Sequence, residues 1–264
     1  MGWLIVVKQC RDVNHDSMRY YKSSHSDFAA GGGHVLTEFI DGIATRQINI
    51  AGKTCFISSS LIDWNEKIGF LLYDGNVDEL DLSDSVPINS SEFENKWKEA
   101  LKEKHNKTVL RYLKGDAATP LEQNTLIIHI VNLQGVWGKG FVLSLSKNHP
   151  DLKKEYLKWS DDKDTFKPGE VQFIQIDEQA NIFVANMLAQ EGIKRNSCDK
   201  NTYVNYKSLR TCLTKVARFA LVNRLSIQMP KIGAGLAGGD WEKIENIINE
   251  ELVYYKLKCT VCEL

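Results

Sequence analysis

Residues 125–141, TLIIHIVNLQGVWGKGF, decide the fold of the larger part of the chain. The run 126–131 is rich in β-branched side chains and has no polar alternation, which predicts a strand buried on both faces, as in a parallel sheet. After Asn132, glycines follow at 135, 138 and 140, and a helical pattern begins at Phe141. A strand, a glycine-rich loop and a helix in this order bring bare N–H groups and a helix N-terminus together, as a phosphate site requires. The glycine spacing matches neither the dinucleotide fingerprint nor a P-loop, so a tight turn without a ligand is the alternative.

Composition and charge limit the classes of function. The 264 residues are 43% apolar and 25% charged, which is typical of a globular protein of one or two domains whose core needs no disulfides. The formal net charge of −1 argues against a general electrostatic grip on nucleic acid. No apolar run approaches the length of a membrane span, and residues 1–8 predict a strand rather than a signal peptide. No membrane partner is expected.

Six cysteines, at positions 10, 55, 198, 212, 259 and 262, form no disulfide framework. The last two make a lone C-x-x-C motif, whose sulfurs would point to opposite faces of a strand. Two thiols on a final strand are therefore favoured over a metal or redox pair. This cysteine usage predicts a reducing, cytoplasmic location. No metal and no cofactor are predicted.

Residues 1–104 predict a smaller α+β domain of unknown role with an antiparallel sheet. A hairpin is indicated around Asp41-Gly42, a turn dipeptide between β-prone segments. The helix that closes this domain has Ser91 and Glu94 at the spacing of a capping box. Residues 103–107 are the predicted linker.

The smaller domain shows no constellation of catalytic or metal-ligating residues. It loosely resembles small bacterial domains of unassigned role that combine an E-x-D-G-x-x-x-R-x-I pattern with a helix containing F-E-x-x-W. Here Glu38, Arg46, Glu94 and Trp97 carry that pattern. Trp97 and Trp64 are expected in the core rather than at an interface. The resemblance implies no function.

From residue 108 the pattern changes to strands that alternate with helices, which predicts a mainly parallel sheet with helices on both faces. A second glycine loop, residues 233–239, follows a short strand and precedes a helix capped by Asp240. Because ligands of such sheets bind beyond the carboxyl ends of the strands, both glycine loops are expected to face one crevice. Two backbone cradles on one rim suit a diphosphate. Two tight strand-to-helix turns are the alternative.

Four landmarks in residues 109–264 resemble those of the macro domain, the ADP-ribose-binding module. YLKGD at 112–116 is similar to its first strand and Gly-Asp pair, and HIVN at 129–132 with GVWGKG at 135–140 to its first phosphate loop. FVAN at 183–186 is similar to its central strand, and MPKIGAGLAGGDW at 229–241 to its second phosphate loop and last helix. The resemblance implies a three-layer α/β/α sandwich with a mixed, mainly parallel sheet over residues 108–264, with ADP-ribose or an ADP-ribose derivative as ligand.

The resemblance also implies roles for single residues. Asp116 would accept a hydrogen bond from the adenine amino group, since a carboxylate only accepts; a turn or N-cap role is the alternative. Asn132 would hold the distal ribose, with a strand-end cap as the alternative. The loop N–H groups would cradle the diphosphate, and glycine is needed there because a Cβ would keep the backbone from the phosphates. The implied ligand-binding residues are Gly115, Asp116, Ala117, Asn132, Gly135, Val136, Trp137, Gly138, Lys139, Gly140, Phe141, Gly233, Ala234, Gly235, Leu236, Ala237, Gly238 and Gly239.

The first loop is similar to that of yeast-type ADP-ribose 1''-phosphate phosphatases. It is also similar to that of macro domains that remove ADP-ribose from proteins or nucleic acids through a lysine-linked intermediate, with a lysine on the central strand and an aspartate in the second loop. Residues 182–188 contain no lysine, and Ala237 stands where that aspartate would be, so this mechanism is not predicted. Lys139 replaces the glycine or alanine common in the family, either as a charge beside a phosphate or as a solvent-facing side chain.

These features predict a metal-independent hydrolase acting at the distal ribose, either an ADP-ribose 1''-phosphate phosphatase or an enzyme that removes ADP-ribosyl groups from a macromolecule. The catalytic candidates are Asp240, to activate water, and Asn132 and His129, to position the distal ribose or the leaving group. His129 is equally interpreted as a core histidine. The alternative is a non-catalytic ADP-ribose reader whose N-terminal domain binds a partner. An ADP-ribosylated protein or nucleic acid is the further partner considered.

Overall fold

A computed structural model describes residues 6–9, 18–25, 28, 31–194 and 198–264. The chain forms two compact units. The larger contains residues 109–254 and 258–264 together with the first strand, and the smaller contains the described residues from 18 to 108 together with 255–257. Within the described ranges, no helix is long and apolar enough to cross a bilayer.

The described residues form fourteen strands, five α-helices and three short 3-10 helices. In chain order these are β1 (Val6–Gln9), β2 (Met18–His25), β3 (Gly33–Ile40), β4 (Ile43–Ala51), β5 (Thr54–Ser58), β6 (Trp64–Asn65), β7 (Gly69–Phe70), a 3-10 helix (Val77–Glu79), β8 (Ser85–Pro87), α1 (Ser90–Ala100), a 3-10 helix (Lys104–Asn106), β9 (Arg111–Lys114), β10 (Thr125–Asn132), α2 (Phe141–Asn148), α3 (Asp151–Ser160), β11 (Val171–Asp177), β12 (Ile182–Gln190), α4 (Tyr206–Val222), β13 (Ser226–Met229), α5 (Trp241–Glu251), a 3-10 helix (Val253–Tyr255) and β14 (Cys259–Glu263).

The larger unit is built on a seven-stranded sheet in the order β1-β11-β12-β10-β13-β14-β9. The pairings of β11 with β1 and with β12 are antiparallel, and those from β12 through to β9 are parallel. Strand β10 lies in the middle and pairs with parallel neighbours on both sides, so its apolar side chains are buried. The predicted mixed, mainly parallel sheet is confirmed.

Helices cover both faces of this sheet. On one face, Ile174 of β11 belongs to a cluster with Tyr156 and Trp159 of α3. On the other face, the adjacent Phe173 stacks on Phe219 of α4, with ring centroids 3.9 Å apart. Successive residues of a strand point to opposite faces, so the unit is a three-layer α/β/α sandwich, as predicted.

Strand β1 corrects the predicted domain boundary. It was assigned to residues 1–104, but it pairs with β11 at the edge of the larger sheet, from Val6 opposite Gln175 to Gln9 opposite Gln172. A parallel-strand pattern does not identify its edge partner, because an antiparallel edge strand can come from anywhere in the chain. The remainder of the predicted residues 1–8, before Val6, lies outside the described residues.

The smaller unit has a five-stranded antiparallel sheet in the order β5-β4-β3-β2-β8. Its central hairpin, β3–β4, turns at Asp41 and Gly42, whose φ angles are 52° and 84°. Two positive φ angles define the turn that matches the twist of paired strands, which confirms the hairpin. The predicted linker is not a free segment, because Asn106 is buried and donates to the carbonyl oxygens of Cys55 (2.7 Å) and Ala100 (2.9 Å).

Helix α1 lies in the smaller unit and begins two residues earlier than the predicted capping box requires. The N-cap is Asn89, whose side-chain oxygen accepts from the N–H of Glu92 at 2.9 Å. Ser91 therefore lies inside the first turn, and the capping-box prediction was wrong. The helix buries Phe93 and Trp97, as its apolar stripe predicts.

The pattern residues of the smaller unit form a buried ion pair. Arg46 and Glu38 are cross-strand neighbours on β4 and β3, with side chains 1% and 2% exposed. The guanidinium of Arg46 donates to both oxygens of Glu38, at 2.9 and 2.6 Å, and also to Glu94. The rings of Phe93 and Trp97 lie 4.9 and 5.0 Å from the guanidinium carbon. These residues therefore attach α1 to the sheet of the smaller unit.

Trp64 is not in the core, contrary to the prediction. It pairs across β6–β7 with Phe70, and the two side chains are 62% and 69% exposed. The apolar spacing that places Trp97 on a buried helix face has no counterpart in this two-residue hairpin.

Candidate ligand-binding site

The two glycine loops of the larger unit line one pocket. Loop 1 (residues 133–140) follows β10, and loop 2 (residues 230–240) follows β13. A cavity of about 390 Å³ lies between them. It is lined by His129, Ile130, Val131, Asn132, Val136, Gly138, Lys139, Gly140, Phe141, Val142, Gln190, Ile193, Pro230, Lys231, Ile232, Gly233, Gly235, Leu236 and Ala237. The predicted convergence of the two loops is confirmed.

Gly140 joins loop 1 to α2 in a conformation that requires glycine. Its φ and ψ are 75° and −147°, and a Cβ there would approach the Leu236 side chain of loop 2 to 3.2 Å. Residues with a side chain rarely adopt this region. The close approach of the loops therefore depends on glycine at this position.

Each loop carries backbone donors without a protein acceptor. In loop 1 these are the N–H groups of Gly138, Lys139 and Gly140, and in loop 2 those of residues 235–237; none donates to another group in the described part of the chain. All of these residues except Ala237 are exposed, and successive free donors before a helix form an anion-binding concavity. The N-cap Gly140 supplies no side-chain cap to α2. The pocket thus offers donors from both loops.

The charges of the pocket are positive. Two lysines, Lys139 and Lys231, are among the lining residues, and no carboxylate is. The Nζ atom of Lys231 lies 2.6 Å from a carboxylate oxygen of Glu263, which offsets its charge. Lys139 is exposed and forms no ion pair with any described residue.

Asn132 caps loop 1 from within. Its side-chain oxygen accepts from the N–H groups of Gln134 (3.0 Å) and Val136 (3.1 Å), and its amide donates to the carbonyl of Val136 (2.6 Å). This is the strand-end cap named as the alternative. One amide hydrogen remains for a ligand.

His129 belongs to a buried row of polar side chains across three strands. Its Nε2 donates to the side-chain oxygen of Asn186 at 2.6 Å, Asn186 donates to Gln172 at 2.8 Å, and Gln172 donates to the carbonyl of Glu155 at 3.1 Å. His129 is 2% exposed, and burial lowers its pKa to about 4. Its ring packs edge-on against Trp137 and Phe141. The imidazole is neutral near pH 7, and its ring contacts Trp137 of loop 1 and Phe141 at the start of α2.

Asp240, for which a catalytic role is predicted, is not among the residues that line the pocket. Its carboxylate accepts from the N–H of Glu242 at 3.0 Å as the N-cap of α5, and its own N–H donates to the Tyr206 hydroxyl. The side chain is thus bonded to the start of its own helix, and Asp240 is not among the residues that line the cavity. The predicted cap is confirmed, and the water-activating role stays a prediction.

Asp116 makes a similar local bond. One carboxylate oxygen accepts from the N–H of Ala118 at 2.9 Å. Asp116 lies beyond the lining of the pocket, next to Gly115, whose N–H donates to the carbonyl of Glu263. The second carboxylate oxygen makes no hydrogen bond to a described residue.

Several known proteins are similar to this chain in sequence and fold. No protein-family model matches the chain. A solved protein of unknown function from Bacteroides thetaiotaomicron is 40% identical, with a TM-score of 0.56, over 60% of this chain and 99% of its own. A macrodomain protein from Streptomyces coelicolor is 34% identical, with a TM-score of 0.52, over 59% of this chain and 99% of its own.

The chain belongs to the macro domain family. Among curated proteins, it is 27% identical over 149 residues to the ADP-ribose 1''-phosphate phosphatase of Candida albicans. That match covers 54% of this chain and 93% of the phosphatase. Each of these three matches covers between 54% and 60% of the chain.

The pocket of this macro domain includes part of the residue set predicted from sequence. The predicted residues that line it are His129, Asn132, Val136, Gly138, Lys139, Gly140, Phe141, Gly233, Gly235, Leu236 and Ala237. Those that do not are Gly115, Asp116, Ala117, Gly135, Trp137, Ala234, Gly238, Gly239 and Asp240.

Trp137 explains one of these differences. Its indole is buried and donates to the Ser146 hydroxyl at 2.7 Å, so it anchors loop 1 to α2. The sequence does not show whether an aromatic side chain in a glycine loop points into the pocket or into the core.

Several lining residues of the macro domain were missed. They are Ile130, Val131, Val142, Gln190, Ile193, Pro230, Lys231 and Ile232. Most lie at the carboxyl end of a parallel strand, and the rule for ligands in open α/β sheets would have found Gln190 and Pro230. Among the described residues, no group of three or more metal-ligating side chains occurs.

The C-x-x-C thiols of the macro domain lie in its core. Cys259 and Cys262 are both buried on β14, and burial raises the pKa of each thiol. Protonated core thiols are unreactive, as the favoured interpretation of this motif expects.

Proposed function

We propose that the macro domain of this chain binds ADP-ribose or an ADP-ribose derivative, with the diphosphate between the two glycine loops. The observation that carries the proposal is that two loops with free backbone N–H donors line one pocket. Two lysines also line this pocket, and no carboxylate does. Such donors stabilise a diphosphate without any side chain. The relatives named as a macrodomain protein and an ADP-ribose 1''-phosphate phosphatase support the same ligand class.

Two side chains keep hydrogen-bonding capacity for further ligand contacts. We assign the free carboxylate oxygen of Asp116 to the adenine amino group and the remaining amide hydrogen of Asn132 to the distal ribose. Both side chains make local bonds already, so each would contribute one hydrogen bond. Replacing Asp116 by alanine is expected to weaken ADP-ribose binding by roughly 1–2 kcal/mol.

Two glycines permit a test that separates binding from folding. A Cβ added at Gly138 or Gly235 would meet no protein atom within 4 Å, and neither residue has a positive φ. Gly138→Ala and Gly235→Ala should therefore fold normally while the new methyl group keeps a phosphate from the backbone. Calorimetric titration with ADP-ribose is expected to give an affinity of about micromolar in the wild type, roughly tenfold weaker in each variant. Unchanged affinity in both variants, with unchanged thermal stability, would contradict the proposal.

A hydrolase is the second candidate, acting as an ADP-ribose 1''-phosphate phosphatase or removing ADP-ribosyl groups from a protein or nucleic acid. The name of the Candida albicans relative and the loop donors, which could stabilise charge on a leaving phosphate, favour it. The positions of Asp240 and His129 favour a reader.

An assay of substrate turnover distinguishes a hydrolase from a reader. Phosphate release from ADP-ribose 1''-phosphate, and ADP-ribose release from modified protein and modified DNA, are measured with the wild type and Gly138→Ala. Release that the variant loses identifies a hydrolase. Binding without any release identifies a reader.

The smaller unit is a candidate partner-binding module. Ile62 is 86% exposed and lies two residues before Trp64, which pairs with the exposed Phe70, and large exposed apolar side chains mark interaction sites. A partner that binds there should lose affinity for Trp64→Ala and Phe70→Ala. Trp97→Phe, a change inside the core, should leave that affinity unaltered.

A further inference from the structure

Loop 1 holds a charge that nothing in the described chain neutralises. Lys139 lies between Gly138 and Gly140 and lines the pocket, without an ion-pair partner among the described residues. The other lining lysine, Lys231, is held 2.6 Å from Glu263. The two cations are therefore not equivalent toward an anionic ligand.

The position of Lys139 is electrostatically unfavourable in the protein alone. It precedes the N-cap of α2, a helix without an acidic residue in its first turn or a side-chain cap. The N-terminus of a helix carries a partial positive charge, so a lysine there is repelled by the α2 dipole. An anion bound at this point would relieve that repulsion.

The backbone donors of both loops leave the ammonium group of Lys139 available to a further anionic group. Free N–H groups in both loops suffice for a diphosphate. A phosphate monoester brings up to two further negative charges at neutral pH, and an ammonium group is a suitable point charge for it. No carboxylate lines the pocket to repel it.

We propose that Lys139 is a specificity-determining residue that contacts a further phosphate monoester on the distal part of the ligand. The pocket then prefers a phosphorylated ADP-ribose over ADP-ribose itself. This inference rests on the proposed ADP-ribose binding, and it assigns the preference to loop 1 rather than to Lys231.

The test measures a ratio of two affinities. Calorimetric titrations of the full chain with ADP-ribose and with ADP-ribose 1''-phosphate give the preference of the wild type, expected to be about tenfold or more for the phosphorylated ligand. In Lys139→Met, which keeps the apolar stem, both ligands bind more weakly and the preference falls to about twofold or less. Lys139→Arg retains most of it. Lys147→Met, which removes an exposed lysine from the far end of α2, leaves both affinities unchanged.

The outcomes distinguish a failure of this inference from a failure of the proposed ADP-ribose binding. A wild type that binds neither ligand overturns the proposed function and the role of Lys139 with it. A wild type that binds ADP-ribose, but whose preference is absent or is unchanged in Lys139→Met, overturns only the role of Lys139. A preference that disappears in Lys139→Met and not in Lys147→Met supports it.

Discussion

At the scale of single residues, the side chains with the most reactive chemistry are committed to structure. His129 donates within a buried polar row, and Asp240 caps α5. Both were predicted to be catalytic, because residue type and position in a loop or strand do not show where a side chain points. For Asn132 and Asp116 the alternative of a local cap could be written down in advance, since these residue types often bond their own backbone.

His129 gives a prediction for the pH dependence of stability. Its pKa is lowered to about 4 by burial, whereas an unfolded histidine titrates near 6.5. The folded state therefore binds fewer protons between these values, so stability is fully present above pH 6.5 and falls as the pH drops toward 4. Between pH 7 and pH 5 the loss from this group should be roughly 2 kcal/mol.

Urea unfolding of the full chain at both pH values, in the wild type and in His129→Gln, measures that contribution. Glutamine cannot titrate but can still donate to Asn186. The variant should lose markedly less stability on acidification than the wild type. An equal loss in the two proteins would show that His129 is not the group responsible.

At the scale of elements, helix α2 gives a prediction about charge and dipole. Lys139 precedes its N-terminus and Lys147 lies in its last turn. Without ligand and at low salt, Lys139→Glu should stabilise the protein by about 0.3–1 kcal/mol, and Lys147→Glu should destabilise it by a similar amount. Thermal denaturation of the two variants provides the comparison. Shifts of the same sign would contradict the electrostatic account of loop 1.

Helix α1 gives a prediction about the buried ion pair. Arg46→Met leaves the carboxylate of Glu38 buried without its bidentate partner, which should cost about 3–5 kcal/mol in the smaller unit. Replacing both, Arg46→Met with Glu38→Leu, should restore much of that loss, because burying apolar side chains removes the uncompensated charge. Chemical denaturation of the single and double variants measures the difference. A double variant less stable than Arg46→Met would show that the pair itself, rather than the unpaired charge, matters.

The elements themselves were largely predictable. The β10 run, the hairpin at Asp41-Gly42 and the α5 cap all follow from local chemistry. The exceptions depend on contacts that local patterns do not contain. The N-cap of α1 is Asn89 rather than Ser91, and the Trp137 indole is buried, where it donates to the Ser146 hydroxyl and packs against the Tyr156 ring.

At the scale of the whole molecule, two units were predicted and two are present, but the chain does not divide them at one point. Strand β1 belongs to the larger sheet, and residues 255–257 group with the smaller unit. Alternation of strands and helices predicted the mainly parallel sheet of the larger unit because that pattern is local in sequence. An edge strand separated from its partner by more than 150 residues leaves no such pattern.

The most direct test of the central claim is an amide NMR titration of the full chain with ADP-ribose. The account predicts that the N–H signals of residues 138–140 in loop 1 and 235–237 in loop 2 shift together, with one dissociation constant. They are the free donors of one pocket. Shifts confined to one loop, or to the smaller unit, would contradict the claim that both loops hold one diphosphate.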